Sequence, residues 1–497
     1  MNVDVAIVGC GPTGAVLASL LGQAGLAVAL FEREPSVHPL PRAAHFDGEV
    51  MRIFQAVGLR EAVAAIARPG TKGMHFVSAS GQTLLIRKAA EGPGPHACAG
   101  SYYFHQPQLE GVLRQGLARF PNVEVLLRHE VEAVEGGDDR ARLRVRDLER
   151  GDEREIAARY VVGCDGARSI VRRAIGSGRD DLGLHQPWLV LDLLLKRPVD
   201  LPEYTVQHCD PARPMTQVNM VGNRRRWEIM LMPGDDPATI AEPARVWRFL
   251  APWLTPADAD IERSAVYTFH SVIARGWRHG RLLIAGDSAH QTPPFLGQGM
   301  CAGIRDAANL AWKLELVCRG EAPARLLDTY ESEREPHVRA FIALAVRIGG
   351  IIQATDPQLA AERDRMFAER GTEIFSFPQP ALGPGAHDDA PPPVGQVFHQ
   401  PRLDDGRLLD DAIGIRFAVL GDRRAIAAAA PATRARWERL GAGVLADASR
   451  EVAAWLAENG ARALVLRPDR YVFGLARDAA DLDRLSARLP GADPARV

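Results

Sequence analysis

Val3-Asp4-Val5-Ala6-Ile7-Val8-Gly9-Cys10-Gly11-Pro12-Thr13-Gly14, continuing through small residues to Leu26-Ala27-Val28-Ala29-Leu30-Phe31-Glu32, is the stretch that decides the fold. An apolar run enters a glycine turn, a helical stretch spans Pro12 to about Ala24, and a second apolar run follows, which is the pattern of a βαβ unit. Gly9, Gly11 and Gly14 have the spacing of a dinucleotide fingerprint. Such a turn lets the backbone approach a pyrophosphate, Pro12 and Thr13 open the helix whose N-terminus faces it, and Glu32 is placed to accept from an adenosine ribose. Arg33, beside Glu32, is counted with the cofactor-binding residues. The fingerprint by itself leaves FAD and NAD both open.

Working outward, Arg281-Leu282-Leu283-Ile284-Ala285-Gly286-Asp287 reads as a second apolar strand, and Gln298 to Val317 as a helix with apolar residues at helical spacing. The cofactor domain is therefore split. Between its parts, around 184–275, alternating segments such as Trp188–Lys196, Thr216–Gly222 and Arg226–Met232 predict an antiparallel sheet laid over a ligand. The stretches Pro378–Gly385 and Asp388–Gly395 predict a Pro/Gly linker. After it, a strand (Ile415–Gly421), a helix (Glu451–Gly460), a strand (Ala463–Pro468), a Tyr471–Gly474 turn and a final helix suggest a small α/β unit. The expected division is 1–72, 102–183 and 276–377 for the cofactor domain, 73–101 and 184–275 for the substrate sheet, 378–402 for the linker and 403–497 for the C-terminal unit.

A chain of 497 residues exceeds one ordinary core, in keeping with two or three domains. Its 60 basic and 62 acidic residues leave a net charge of -2, without a long run of one sign, which argues against nucleic acid as a partner. The six cysteines, at 10, 98, 164, 209, 301 and 318, form no C-x-x-C pair and no cluster with histidine, so no metal site is expected. The N-terminus lacks a basic leader, and Arg347 interrupts the apolar run from Phe341 to Ile352. A reduced, cytoplasmic protein with no membrane partner is the expectation.

Two later segments carry the argument past the fingerprint. One is Val161-Val162-Gly163-Cys164-Asp165-Gly166-Ala167-Arg168-Ser169. The other is Gly286-Asp287-Ser288-Ala289-His290 with Pro293, Pro294, Gly297, Gln298, Gly299 and Met300. A carboxylate just after an apolar strand, as at Asp287, lies at the carboxyl edge of a sheet, where open α/β folds bind ligands. Backbone N–H groups from Gly297 to Met300, at the start of a helix, can face and favour an anionic group by up to about 1–2 kcal/mol. Asp165-Gly166 reads equally well as an ordinary turn.

With these three segments in this order, the chain resembles the group A flavoprotein aromatic hydroxylases of the para-hydroxybenzoate hydroxylase type. Pro41-Arg42-Ala43, Gln106-Pro107-x-Leu109-Glu110, Trp188-Leu189-Val190, Arg226-Trp227-Glu228, Tyr267-x-Phe269 and Leu327-Asp328-x-Tyr330-Glu331-x-Glu333-Arg334 look like the 3-(3-hydroxyphenyl)propionate hydroxylase branch. The resemblance implies an α/β fold with a split Rossmann-like FAD domain, an inserted antiparallel substrate sheet and a small thioredoxin-like C-terminal domain. That last domain is most recognisable at Arg467-Pro468-Asp469-Arg470-Tyr471-Val472; it has no cysteine and so no thiol redox role. It reads as either a lid or a dimerisation surface of a homodimer.

The resemblance also implies FAD, with NADH or NADPH as co-substrate, and an oxygen transfer from a flavin C4a-hydroperoxide to a phenol ring, giving a catechol. Gly286, Asp287, Pro294, Gly297, Gly299, Met300, Asp165, Arg42 and Gln106 become FAD contacts, the last two being ordinary surface residues on their own reading. Since the cofactor carries the oxygen chemistry, the protein must exclude water, orient a small aromatic substrate and O2, and help remove the phenol proton. His45 is the first candidate for that proton. Tyr103, His208, Met220, Met230, Met232, Pro293 and Phe295 are candidates for the pocket wall, with sheet core as the equally ready reading of the methionines. A hydroxylase of polycyclic or polyketide phenols, and a non-catalytic FAD-fold protein, are the alternatives.

Overall fold

The computed structural model describes residues 2–88, 92–375 and 379–491. Pro378, where the linker is read to begin, and 492–497, assigned to the C-terminal unit, lie outside the described residues. The architecture is mixed α/β, with four sheets.

The first sheet grows from the fingerprint. Asn2–Val8 pairs in parallel with Val28–Glu32 on one side and Glu153–Gly163 on the other, and Leu282–Ile284 joins Glu153–Gly163, also in parallel. Val123–Leu127 closes the far edge. Strands buried on both faces must be apolar throughout, and Val5, Ala6, Ile7, Leu30, Val161, Val162, Leu283 and Ile284 are all fully buried. Helix Pro12–Gln23 covers one face, and Gly299–Cys318 packs against that helix.

The second sheet has nine strands in the order His290–Gln291, Ala259–Arg275, Gly178–Leu195, Arg224–Met230, Met215–Asn219, Thr205–Cys209, Met74–Ser78, Thr83–Arg87 and Glu373–Phe375. The alternation along its central strands sorts two faces. Leu189, Leu191, Leu193, Trp227 and Ile229 meet helix Pro243–Leu250 on the outer face. Trp188, Met230, Met74, Phe76 and Cys209 look inward, with Phe295 and Leu296.

A small sheet of His45–Asp47, Ser101–Phe104 and Ala67–Pro69 lies between these two. The fourth sheet, in the order Gly443–Ala446, Ala418–Gly421, Ala463–Leu466 and Val472–Ala476, carries helices Arg450–Glu458 and Ala479–Ala487. One local expectation fails: Tyr471–Gly474 is not a turn but the start of an edge strand antiparallel to Ala463–Leu466. The reversal falls earlier, at Pro468–Arg470, where Arg470 takes a φ of 69°.

The described part of 379–402 contains no helix or strand, yet it is packed: Val394 and Phe398 join the C-terminal core and Asp388 pairs with Arg484 and Arg488. Among the described residues no single helix is long and apolar enough to cross a membrane. All six cysteines are free.

Buried ion clusters bind the C-terminal unit to the rest. Glu333 Oε2 accepts from Lys313 Nζ, Arg467 Nη2 and Asn309 Nδ2, each at 2.8 Å. Asp410 accepts from Arg52 at 2.6 and 2.9 Å and from Arg470 at 2.8 Å. Arg52 and Arg470 hold the Asp410 carboxyl below its ordinary value of 3.8 against the opposing effect of burial. A depressed folded-state value means stability that is present above 3.8 and lost as the pH falls below it. Asp410→Asn should cost about 3 kcal/mol at neutral pH, because two buried guanidinium groups lose their counter-charge, and should flatten the acid limb of stability measured by urea unfolding across pH.

Candidate flavin site

Three turns leave the first sheet at one level. Val8 is in register with Phe31 and with Gly163, and Gly163 with Ile284, so the turns at Gly9, Cys164 and Ala285 emerge side by side at the carboxyl ends of parallel strands. Their spacing leaves no room for side chains. A Cβ on Gly9, whose φ is 102°, would meet Cys164 O at 2.4 Å, and one on Gly14 would meet Gly9 O at 2.0 Å. Gly11, in contrast, faces open space at the start of helix Pro12–Gln23, which has no side-chain cap. That combination of an uncapped helix N-terminus and a bare backbone is a cradle for a pyrophosphate.

Glu32 accepts from the N–H groups of Cys10 and Glu34, both at 3.0 Å, at the end of the same cradle. Arg33 points away, pairing with Glu34 at 3.4 Å on an exposed surface. Thr13 locks the fingerprint to the third turn, because its Oγ1 stands 2.8 Å and 2.4 Å from where Cβ atoms of Gly286 and Gly303 would be.

The second and third turns are tied by Ser288. Its hydroxyl donates to Asp165 Oδ1 at 3.0 Å and accepts from Gly166 N at 2.9 Å, while Asp165 Oδ2 accepts from Ile170 N at 2.6 Å. Asp165 thus fixes the two turns to each other with both oxygens engaged. Asp287 is exposed, and its carboxylate has no hydrogen bond or ion pair among the described residues. Both of its oxygens are free to accept a hydrogen bond.

Beneath these turns lies a residue that the sequence reading passed over. Asp306, fully buried in helix Gly299–Cys318, accepts from Gly286 N at 3.0 Å, His290 Nε2 at 2.6 Å and Arg334 Nε at 2.9 Å. His290 and Arg334 hold its carboxyl low against the effect of burial. His290 is therefore a structural donor.

The candidate ring end, from the resemblance, comprises Pro294–Leu296, Gly297 and the start of helix Gly299–Cys318, which also lacks a side-chain cap. Gln298 Nε2 donates to Asp47 Oδ2 at 3.1 Å; Arg305 donates to Gln298 at 3.1 Å, to Asp47 at 2.6 Å and to Glu49 at 2.6 Å. Tyr471 of the C-terminal unit donates to the other oxygen of Glu49 at 3.0 Å. Met300 packs half-buried against the core.

His45 sits under this loop, its Nδ1 2.9 Å from where a Cβ of Gly297 would be and its Nε2 2.7 Å from Ser101 Oγ. Burial, helped by the charge of Arg87, pushes it down to about 3. A pKa that low makes its ring a weak proton acceptor, and both ring nitrogens face neighbours in Ser101 and Gly297.

Gln106 is turned inward, accepting from the N–H groups of Arg42 and Ala43 at 2.8 and 2.6 Å and donating to Glu110 at 2.7 Å. It fixes the loop that presents the exposed Arg42. Arg226 grips the same loop from the sheet, through Arg42 O and Pro41 O, both at 2.8 Å.

Among the expected wall residues, Tyr103 is buried, exchanges a hydrogen bond of 2.7 Å with Thr205 and clusters with Met220. Met230 and Phe295 meet around Trp188, and Pro293 is buried at the entrance to the same loop. Two expected wall residues lie elsewhere. His208 alternates onto the outer face, where its ring packs 5.2 Å from Trp253, and Met232 falls beyond the strand in a turn held by Asp235. The signal that would have found Arg305 and Asp306 is an adjacent charged pair within the apolar run Cys301–Trp312.

A family model described as an FAD binding domain matches residues 2–345, and one described as the HcaD C-terminal domain matches 442–492. The chain is 40% identical to the probable NADH-specific resorcinol 4-hydroxylase of Rhodococcus jostii (strain RHA1), over 99% of this chain and 95% of that protein. It is 34% identical to the 3-(3-hydroxy-phenyl)propionate/3-hydroxycinnamic acid hydroxylase of Mycobacterium sp. (strain JLS), over 95% and 89%. Among solved structures, the flavin-dependent monooxygenase PieE, in complex with FAD and substrate, superposes with a TM-score of 0.83 at 23% identity, over 98% of this chain and 99% of that one. The chain belongs to the FAD-binding family of the group A aromatic hydroxylase type.

Proposed function

We propose that the protein is an FAD-dependent monooxygenase that uses NADH and O2 to hydroxylate a meta-substituted phenol ortho to its hydroxyl, with resorcinol as the leading substrate. The observation that carries this reading is the 40% identity, over nearly the full length of both chains, to the probable NADH-specific resorcinol 4-hydroxylase. The balance is phenol, O2, NADH and a proton giving catechol, NAD+ and water. The FAD, when bound, supplies the redox and oxygen chemistry.

The chain's own residues bind, orient and exclude water. Gly9 to Gly14 and Glu32 take the ADP half, Asp287 the ribityl hydroxyls, and the uncapped start of helix Gly299–Cys318 the electron-rich edge of the ring. The nine-stranded sheet is the substrate domain, set over the ring loop by Arg226 and Trp188. Inside it Arg226 and Arg263 are already committed to Asp192 and to the Pro41–Arg42 loop, which favours a neutral dihydroxybenzene over a carboxylated phenol. The C-terminal unit is a redox-inactive, thioredoxin-like domain that buttresses the ring loop through Tyr471 and Glu49. The six free cysteines, all of them outside that unit, suit the protein to the cytoplasm.

Purified holoenzyme should oxidise NADH only when a phenol is added, with hydroxylated product forming mole for mole and resorcinol preferred to 3-(3-hydroxyphenyl)propionate. NADH oxidation that yields hydrogen peroxide alone across a panel of phenols would sink the proposal. Asp287→Ala should weaken FAD binding by roughly 10- to 100-fold in reconstitution titrations while leaving the melting temperature of the apoprotein unchanged. Asp165→Ala should lower that melting temperature, since it frees Ser288 and the N–H of Ile170.

A further inference from the structure

The inner face of the nine-stranded sheet is arranged in rows. One row begins at Val218 and continues with the charged Arg226, Asp192 and Arg263, whose arginines are held to the Pro41–Arg42 loop. Another, Met230, Trp188 and Tyr267, is apolar and packs toward Phe295 of the ring loop, the Trp188 and Phe295 rings lying 5.7 Å apart. Between them runs Gln207, Thr216, Glu228, Val190 and Ala265. Its side chains are shorter, save for Gln207, which is tied down by Thr216 at 2.5 Å, and Glu228.

Glu228 is the group this arrangement leaves unused. Its side chain is 10% exposed, and no hydrogen bond reaches its carboxylate among the described residues. The nearest cation is Arg226, whose Nη1 stands 3.8 Å away, beyond hydrogen-bond distance, while the guanidinium's hydrogen bonds run to Asp192, Pro41 and Arg42. Burial pushes the Glu228 carboxyl up, and Asp192 adds to this while Arg226 and Arg263 oppose it. A buried carboxylate without a donor is costly unless a ligand provides one. The donor that fits, beside an aromatic and apolar wall, is a phenolic hydroxyl.

We propose that Glu228 accepts the proton of the substrate hydroxyl, an assignment that rests on the hydroxylase reading. The phenol O–H bond breaks, the proton bonds to a carboxylate oxygen of Glu228, and the electron pair stays on the phenolate oxygen. That charge enriches the ortho and para carbons of the ring for attack on an electrophilic oxygen. Glu228 returns the proton to the product oxygen. Its raised carboxyl lies closer to a phenol's range than an exposed one does, whereas burial pushes His45 down to about 3.

Glu228→Gln removes no protein hydrogen bond, so the variant should fold and hold FAD. The probe is 4-nitrophenol, whose phenolate band reports its ionisation while bound to the holoenzyme. An ionised Glu228 disfavours the neighbouring phenolate, so the bound nitrophenol should titrate about one pH unit or more higher in the wild type than in E228Q. Resorcinol hydroxylation should fall by roughly 10²-fold in E228Q, with hydrogen peroxide formed instead. A fluorinated resorcinol that ionises unaided should recover most of the loss, and Glu228→Asp should fall between.

Equal nitrophenol titrations in the two proteins, or a loss that the acidic substrate does not relieve, would overturn the assignment. The titration is read without turnover. A protein that shows the difference but hydroxylates no phenol would therefore overturn the hydroxylase reading and not the contact between Glu228 and the phenol.

Discussion

The close approach of Gly9, Gly14 and Cys164 is the constraint on which the rest depends. Three parallel strands end at one register level, and their exits must pass within van der Waals distance of each other for a dinucleotide to lie across them. No residue with a Cβ fits at Gly9 or Gly14, because it would occupy the space of a backbone oxygen. Everything that later meets the flavin is carried into place by this junction. Ser288 closes it from the side through half-buried hydrogen bonds, and Asp306 from below through fully buried ones, in a low-dielectric setting where an unmade bond is expensive.

The ring end is held differently, by charge. Arg305 gathers Asp47, Glu49 and Gln298, and Tyr471 reaches the same Glu49 from the last sheet. A loop that must keep its N–H groups free for a ligand cannot be stabilised by its own capping bonds. Its rigidity comes from side chains behind it, two of which belong to segments more than 150 residues apart. The same logic explains why Glu333, Lys313, Arg467, Asp410, Arg52 and Arg470 are ionised yet buried: each has its counter-charge in contact.

Much of the candidate flavin site is legible in the sequence because its turn geometry is local. Gly9 to Glu32 and Gly286-Asp287 follow strands directly, and a turn's conformational demand is met by the residues of that turn. Asp165 and Asp287 read alike in the sequence, each an acidic residue after an apolar strand, and they part only in three dimensions: one is consumed by Ser288 and Ile170, the other left open. Gln106, which the resemblance makes a ligand contact, braces the Arg42 loop in the structure. His208 was misplaced because alternation tells that two faces exist but not which of them meets the cofactor.

From the sequence alone come the βαβ entry, the split of the first sheet, the alternating strands of the second and the family, since periodicity and turn chemistry are written in neighbouring residues. Tertiary structure decided the facing of the second sheet, the burial that strips His45 of basicity, and the isolation of Glu228 between a charged row and an apolar one. Burial and electrostatic neighbours are properties of contacts between distant segments, and no window of sequence contains them.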